Sequence, residues 1–309
     1  MGKFIVEELL KTGKHAVTAI TRTNSTSTFA DGVKVAKVDY DDHNSLVQAL
    51  QGQEVLIITM GVMAPPDQQT KLFKAAADAN VPWVLPNEWG YDSSNKALTT
   101  DIKSGPVPKA EYSAQIEKLG KSSWIGINCS FWYEFSLGGG PERYGFDFKN
   151  RTLTYFDDGE QPINTTTWPQ CGRAIVGLLS LKVFPEDVSD KSPSLAQFKN
   201  QHIRISSFCV SQKDMFKSVQ RVTGTTEQDW KIDSEPSDKR YRRGLELMGQ
   251  GNMAGFAMQM YTRVFYPDGS GNYEASLGLE NDILGLPKED IDEYTKKAVE
   301  FAEKPSAYR

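Results

Sequence analysis

Apolar residues along the start of the chain fall at helical spacing. In GKFIVEELLK, Ile5 pairs with Leu9 and Val6 with Leu10 four positions apart, which predicts a helix over residues 3–11. Gly13 supplies its stop. The period then shortens: HAVTAITR (15–22) and VKVAKVD (33–39) predict strands. DDHNSLVQALQG (41–52) predicts a helix that opens on acids and ends on glycine. EVLIITMG (54–61) is a continuous apolar run, the pattern a strand needs when both its faces are covered. A helix over 66–79, a strand at VPWVLP (81–86), a helix at 109–120 and a strand at SWIGINC (123–129) continue the alternation. Strands that alternate with amphipathic helices predict an α/β fold built on a doubly wound parallel sheet.

Beyond about residue 130 the rhythm changes. RTLTYFDDG (151–159) has a hairpin-like pattern, a helix is expected near 168–181, and polar helices follow toward the end. The expected organisation is a Rossmann-type dinucleotide-binding domain over residues 1–130. Residues 131–309 then form a C-terminal α+β substrate-binding subdomain packed on it.

Composition narrows the partners. The 309 residues include 35 Lys plus Arg against 40 Asp plus Glu, a net charge of -5, which argues against a nucleic-acid backbone or an anionic membrane as partner. The chain contains no apolar run long enough to span a bilayer. Glu7 and Glu8 interrupt what would be the apolar core of a signal peptide. Cys129, Cys171 and Cys209 are far apart, so neither a disulfide framework nor a metal site is expected, and the natural setting is a reducing, cytoplasmic one. His15, His43 and His202 are widely separated, which gives a serine-hydrolase triad little support. No Tyr-x-x-x-Lys occurs, which excludes the classical short-chain dehydrogenase proton relay.

The opening of the chain stands out. A Rossmann sheet begins strand, glycine turn, helix, with the glycines letting backbone N–H groups approach a pyrophosphate at the helix N-terminus. Here the helix comes first, with Gly2 as its only upstream glycine. The expectation is a sheet lacking its first strand and most of its glycine-rich loop. Two explanations stand: an incomplete chain (a truncated product, gene model or splice form), or a sheet closed some other way. Without the glycine loop a pyrophosphate loses most of its backbone N–H cradle, so dinucleotide binding by this chain is expected to be much weakened.

Four stretches together resemble the NmrA-like and isoflavone-reductase-like family of atypical short-chain dehydrogenases. Gly2 with KFIVEELLKTGKHAVTAITR is similar to that family's last loop glycine, first helix and second strand, ending on Arg22. VDYDDHNSLVQALQGQEVLIITMG is similar to its third strand, acidic turn, helix and fourth strand. Pro86-Asn87-Glu88-Trp89-Gly90-Tyr91-Asp92 resembles its signature after the fifth strand, and Lys109 stands at the spacing of its active-site lysine. The resemblance implies an NADPH-dependent reductase that transfers hydride to a small, phenylpropanoid-like aromatic substrate, with Lys109 as general acid. It equally admits a non-catalytic NADP-sensing regulator acting through a protein partner, or an inactive truncated isoform. It leaves the oligomeric state open.

Local chemistry bears on each candidate. Arg22, followed by Thr23 and Asn24, suits a ribose 2′-phosphate, where NAD-specific proteins place an acid; alone it is also an ordinary surface arginine. Asp39 to Asp42 either meet the adenine edge or cap the next helix. Gly61 is either a backbone approach to the cofactor or a turn glycine. Asn87 follows the fifth strand of the family order at the ligand-binding edge of the sheet, and Glu88 beside it reads best as a structural hydrogen-bond anchor. Lys109 at a helix start is disfavoured by the helix dipole, which favours a functional reading, holding a cofactor ribose hydroxyl or protonating the substrate, over a solvated lysine. Asn128, Phe131, Trp132 and Tyr133 either line an aromatic-tolerant pocket or pack the core.

Overall fold

The computed structural model describes residues 1–61, 64–103 and 110–304. The chain runs through α1 (Gly2–Lys11), β1 (Thr18–Arg22), β2 (Lys34–Val38), α2 (His43–Leu50) and β3 (Val55–Ile57). It continues through α3 (Gln68–Asp78), β4 (Trp83–Leu85), α4 (Lys96–Asp101), α5 (Ala110–Leu119) and β5 (Ser123–Asn128). The second half holds β6 (Phe131–Trp132), α6 (Tyr133–Leu137), β7 (Phe146–Asp147), β8 (Thr152–Phe156), β9 (Ile163–Thr166) and α7 (Trp168–Leu179). Then come β10 (Gln201–Arg204), β11 (Phe208–Val210), α8 (Gln212–Thr223), β12 (Lys231–Glu235), α9 (Ser237–Gly249), α10 (Met253–Arg263), α11 (Tyr273–Leu277) and α12 (Ile291–Ala302).

The helix ends follow from local chemistry. The Asp42 carboxylate accepts the N–H of Asn44 and opens α2. Gly13 follows α1 at φ 64° and Gly52 follows α2 at φ 72°, a conformation that costs a residue with a side chain.

The strands form a Rossmann-type layer in two hydrogen-bonded pieces. β1 and β2 pair in parallel from Thr18↔Lys34 to Arg22↔Val38. β3, β4, β5 and β10 form a second parallel sheet in that order. No ladder joins β1 to β3 among the described residues. The strand expected over 54–61 is correspondingly short: among the described residues only its β4 side offers partners. β10 and α7 come from beyond residue 130 and return to this layer.

Helices cover both faces. On one, Ile5 and Leu9 of α1 pack with Cys171, Ala174, Ile175 and Leu178 of α7 over Leu85, Ile125 and Ile127. α7 approaches α1 so closely that a Cβ on Gly172 would lie 2.6 Å from the Phe4 carbonyl oxygen. Phe4 also stacks on Trp168 at 5.3 Å. On the other face Leu46, Leu50, Leu72, Phe73 and Ile116 cover Leu56, Val84 and Trp124. Each fully buried aliphatic side chain contributes about 1.5–3 kcal/mol, so α1 is anchored by α7 independently of any strand beside β1.

The second core belongs to the C-terminal half. Tyr133, Tyr144, Phe146, Phe156, Phe216 and Phe265 are fully buried there. The pattern at 151–159 yields one strand of a hairpin: β8 pairs antiparallel with β7 and parallel with β12.

Candidate functional site

The sheet's carboxyl edge collects most of the residues singled out in the sequence. Arg22 is the last residue of β1, and the side chains of Arg22, Thr23 and Asn24 are exposed. Their turn is fixed by two backbone bonds, Thr23 N–H to the Val38 carbonyl at 3.1 Å and Ser25 N–H to the Arg22 carbonyl at 2.9 Å. Among the described residues Arg22 has no carboxylate partner. It lies near Tyr40, whose phenol is raised above its ordinary value by burial, an effect the Arg22 charge partly offsets. Asp42 spends its carboxylate on capping α2, and Asp41 pairs with Lys71 at 2.6 Å.

Gly2 begins α1 against the end of β3, where an added Cβ would lie 2.7 Å from Thr59 Oγ1. The first helical turn bonds Phe4 N–H and Ile5 N–H back to the Met1 carbonyl. The N–H groups of Gly2 and Lys3 have no acceptor among the described residues, the condition that makes a helix start receptive to an anion.

Asn87 holds two strand ends together. Its Oδ1 accepts the Met60 N–H at 3.2 Å, and its Nδ2 donates to the Met60 carbonyl at 3.0 Å. Its own N–H donates to buried Gln69 Oε1 at 2.6 Å, and Trp89 Nε1 donates to the Ile58 carbonyl at 2.8 Å. Gly61 is a turn residue: its carbonyl accepts the Ala64 N–H, and a Cβ there would meet nothing within 4 Å.

Behind this edge lies a buried polar cluster that sequence reasoning only half anticipates. Glu88, fully buried, accepts from Ser93 Oγ at 2.9 Å and stands 2.8 Å from His202 Nε2. Ser93 Oγ is itself 2.9 Å from that same Nε2. A hydrolytic triad needs the serine and the carboxylate on opposite ring nitrogens; here both meet one nitrogen, so the cluster is an anchor. Asp92 accepts from Asn128 Nδ2 at 2.8 Å and from Arg204 Nε at 3.2 Å. Glu88 and Asp92 thus tie the loop after β4 to β5 and β10. His202 and Arg204 carry no signal of their own in the sequence. The one available cue is Gly126 inside β5, since a glycine in a strand interior often marks a close approach.

Lys109 lies outside the described residues; α5 begins at the next position. Asn128 is fully committed to the buried cluster. Phe131 is buried in the C-terminal core and stacks on Tyr261 at 4.1 Å. Trp132 packs against Phe135 and Trp168, and its buried indole N–H has no partner among the described residues. Tyr133 is fully buried and bonds Thr295 at 2.7 Å. Hydrogen bonds thus hold Asn128, and packing accounts for most contacts of Phe131, Trp132 and Tyr133. Neither the cavity beside β1 nor a smaller one beneath Gly138–Gly140 is lined by Asn128, Phe131 or Trp132.

Among the described residues no group of three or more His, Cys, Asp or Glu is arranged to hold a metal ion. No described helix is long and apolar enough to cross a membrane.

Comparison with known proteins agrees with this fold. Residues 1–135 match the NmrA-like family. The chain is 27% identical over 299 residues to Oxidoreductase aprR of Aspergillus flavus, covering 95% of this chain and 93% of that one. A crystal structure of isoflavone reductase superposes with a TM-score of 0.72 at 17% identity, covering 96% of this chain and 95% of that one. The binary complex of leucoanthocyanidin reductase with NADPH from Vitis vinifera superposes with a TM-score of 0.71 at 12% identity, with the same coverage. The two superpositions establish the shared fold.

Proposed function

We propose, from the match of residues 1–135 to the NmrA-like family and the fold shared with isoflavone reductase, that the chain is an NADPH-dependent reductase of a small aromatic substrate. The observation that carries the reading is Arg22, exposed at the carboxyl end of β1 beside Thr23 and Asn24 and without a carboxylate partner among the described residues. A guanidinium with adjacent hydroxyl and amide groups binds a phosphate monoester by charge-assisted hydrogen bonds. The structural neighbour that binds NADPH, leucoanthocyanidin reductase, supports the choice of cofactor.

The residues present fit a dinucleotide. Arg22, Thr23 and Asn24 would hold the 2′-phosphate, and the free N–H groups of Gly2 and Lys3 would face the pyrophosphate. Gly61 leaves the end of β3 open, and Asn87 keeps Met60 and the loop after β4 in a fixed relation. When bound, the nicotinamide supplies a hydride. The chain's part is to orient the substrate and deliver a proton where negative charge develops, the role we give to Lys109. Residues 131–309 provide the substrate side in this reading.

NADPH oxidation across a panel of isoflavones and phenylpropanoid ethers tests the proposal, comparing the chain with its Lys109→Ala variant. Turnover that falls by a factor on the order of 100 or more in the variant, with cofactor binding retained, is the expected result. Cofactor binding without turnover by the unaltered chain would overturn it in favour of a sensor.

A further inference from the structure

The segment Gly138-Gly139-Gly140-Pro141-Glu142-Arg143 follows α6 and borders a cavity of about 420 Å³. β7 with the turn after it, and α10, supply most of the remaining lining. That volume falls within the roughly 300–1,000 Å³ usual for a small-molecule site. None of the lining residues belongs to the edge where the cofactor is proposed to sit.

Arg143 supplies the one buried charge in this lining, at 9% exposure. Its Nη1 donates to the Phe135 carbonyl near the end of α6, and its guanidinium lies over the Phe135 ring, 3.6 Å from the centroid. Capping the helix uses one nitrogen only. Nε and Nη2 form the edge that grips a carboxylate through two parallel N–H···O bonds. Neither has a protein acceptor among the described residues, and neither is sealed from solvent. Burial pulls the guanidinium below its ordinary value, an effect that Tyr261 and Glu142 offset only in part.

The glycine turn is shaped around this side chain. A Cβ at position 139 would stand 1.7 Å from Arg143 Nη1, so glycine alone admits the guanidinium there. Gly140 has φ 107°, a conformation that strains any residue with a side chain. Two of the turn's carbonyls are taken: the Arg143 N–H donates to Gly140 at 3.1 Å, and Arg240 Nη2 donates to Pro141 at 2.6 Å. The N–H groups of Gly139 and Gly140 have no acceptor among the described residues. Free backbone donors beside a buried guanidinium are the elements of an anion-binding concavity.

The rest of the lining narrows the ligand. Glu142, Asp147 and Lys149 share the cavity, all more exposed than Arg143. Asp147 accepts the Asn150 N–H at 3.0 Å and Asn150 Nδ2 at 2.8 Å. Two acids and two bases cancel, so a single negative charge at the arginine is favoured, whereas a dianion meets two carboxylates. Ala254 and Ala257 of α10, with Phe148 and Ala302, provide apolar wall.

We propose that this cavity is a binding site for a small apolar monocarboxylate. Its carboxylate pairs with Nε and Nη2 of Arg143 and accepts from the glycine turn, and its hydrocarbon chain lies against Ala254, Ala257 and Phe148.

The test titrates the full chain with hexanoate and follows amide chemical shifts by NMR. The controls are hexanamide, alike in shape but uncharged, and hexyl phosphate, a dianion. Hexanoate should bind with a Kd of about 1 mM or tighter and move the amide signals of Gly139 and Gly140. Both controls should bind at least about 10-fold more weakly. Arg143→Gln should weaken hexanoate binding by about 10-fold or more. Ala254→Leu keeps the arginine and fills part of the space from a half-buried position. It should weaken hexanoate binding comparably while Tm stays within about 2 °C. If Arg143→Gln does not fold, hexanamide and Ala254→Leu decide the matter. The proposal is overturned if hexanoate does not bind, if either control matches it, or if binding survives both substitutions.

Discussion

The side-chain amide of Asn87 grips the backbone of Met60 from both sides, accepting its N–H at 3.2 Å and donating to its carbonyl at 3.0 Å. Two loops that leave adjacent strands are thereby held in one relation at the sheet edge where the cofactor is proposed to sit. Asn87→Ala removes both bonds and leaves the Met60 groups unpaired. The expected loss is about 1–3 kcal/mol in urea denaturation, together with weaker NADPH binding. Unchanged affinity in a destabilised variant would reduce Asn87 to a purely structural clamp.

Gly126 and His202 compete for one place. A methyl on Gly126 would lie 2.3 Å from His202 Cδ2 and 3.3 Å from Glu88 Oε2. Gly126→Ala should cost about 1–3 kcal/mol. Combined with His202→Ala, the same substitution should cost markedly less, because the obstacle is gone. A double-mutant cycle on unfolding free energy measures this coupling; strictly additive losses would contradict the contact.

Glu134 titrates near neutrality. Burial lifts its carboxyl from 4.5 to about 7, and the Trp168 N–H at 3.3 Å relieves only part of the penalty. The folded protein therefore binds the proton more tightly than the unfolded chain. Stability falls as pH rises from 4.5 to about 7 and levels off above that, the full penalty being on the order of 3 kcal/mol. Glu134→Gln keeps an acceptor for Trp168 without the charge. Its Tm should exceed that of the unaltered protein at pH 8 and converge with it near pH 4.5. A Tm difference that does not change with pH would disprove this assignment.

The sequence conveys the βα alternation, the stops at Gly13 and Gly52, and the edge position of Arg22, because each depends on neighbours a few residues away. Long-range effects are less visible. EVLIITMG has the apolar character of a long central strand, but strand length depends on partners, and among the described residues β3 finds them on one side only. Glu88 and His202 lie 114 residues apart, so only Gly126 hints at their meeting. Phe131 and Trp132 follow a strand in the way pocket residues do, and an aromatic side chain gives the same signal whether it lines a cleft or fills a core. Asn128 is likewise a buried ligand of Asp92, a role that only the arrival of β10 beside β5 creates. Lys109 rests on its spacing from Asp92.

Cofactor selection at Arg22 tests the account most directly. The dissociation constants of NADPH and NADH are measured by calorimetry for the unaltered chain and for Arg22→Ala, an exposed position whose loss leaves the core intact. The account predicts that NADPH binds the unaltered chain about 10- to 100-fold more tightly than NADH, and that the substitution brings the two constants together by weakening NADPH alone. Equal affinity for both cofactors in the unaltered chain, absence of NADPH binding, or a preference that survives Arg22→Ala would contradict it.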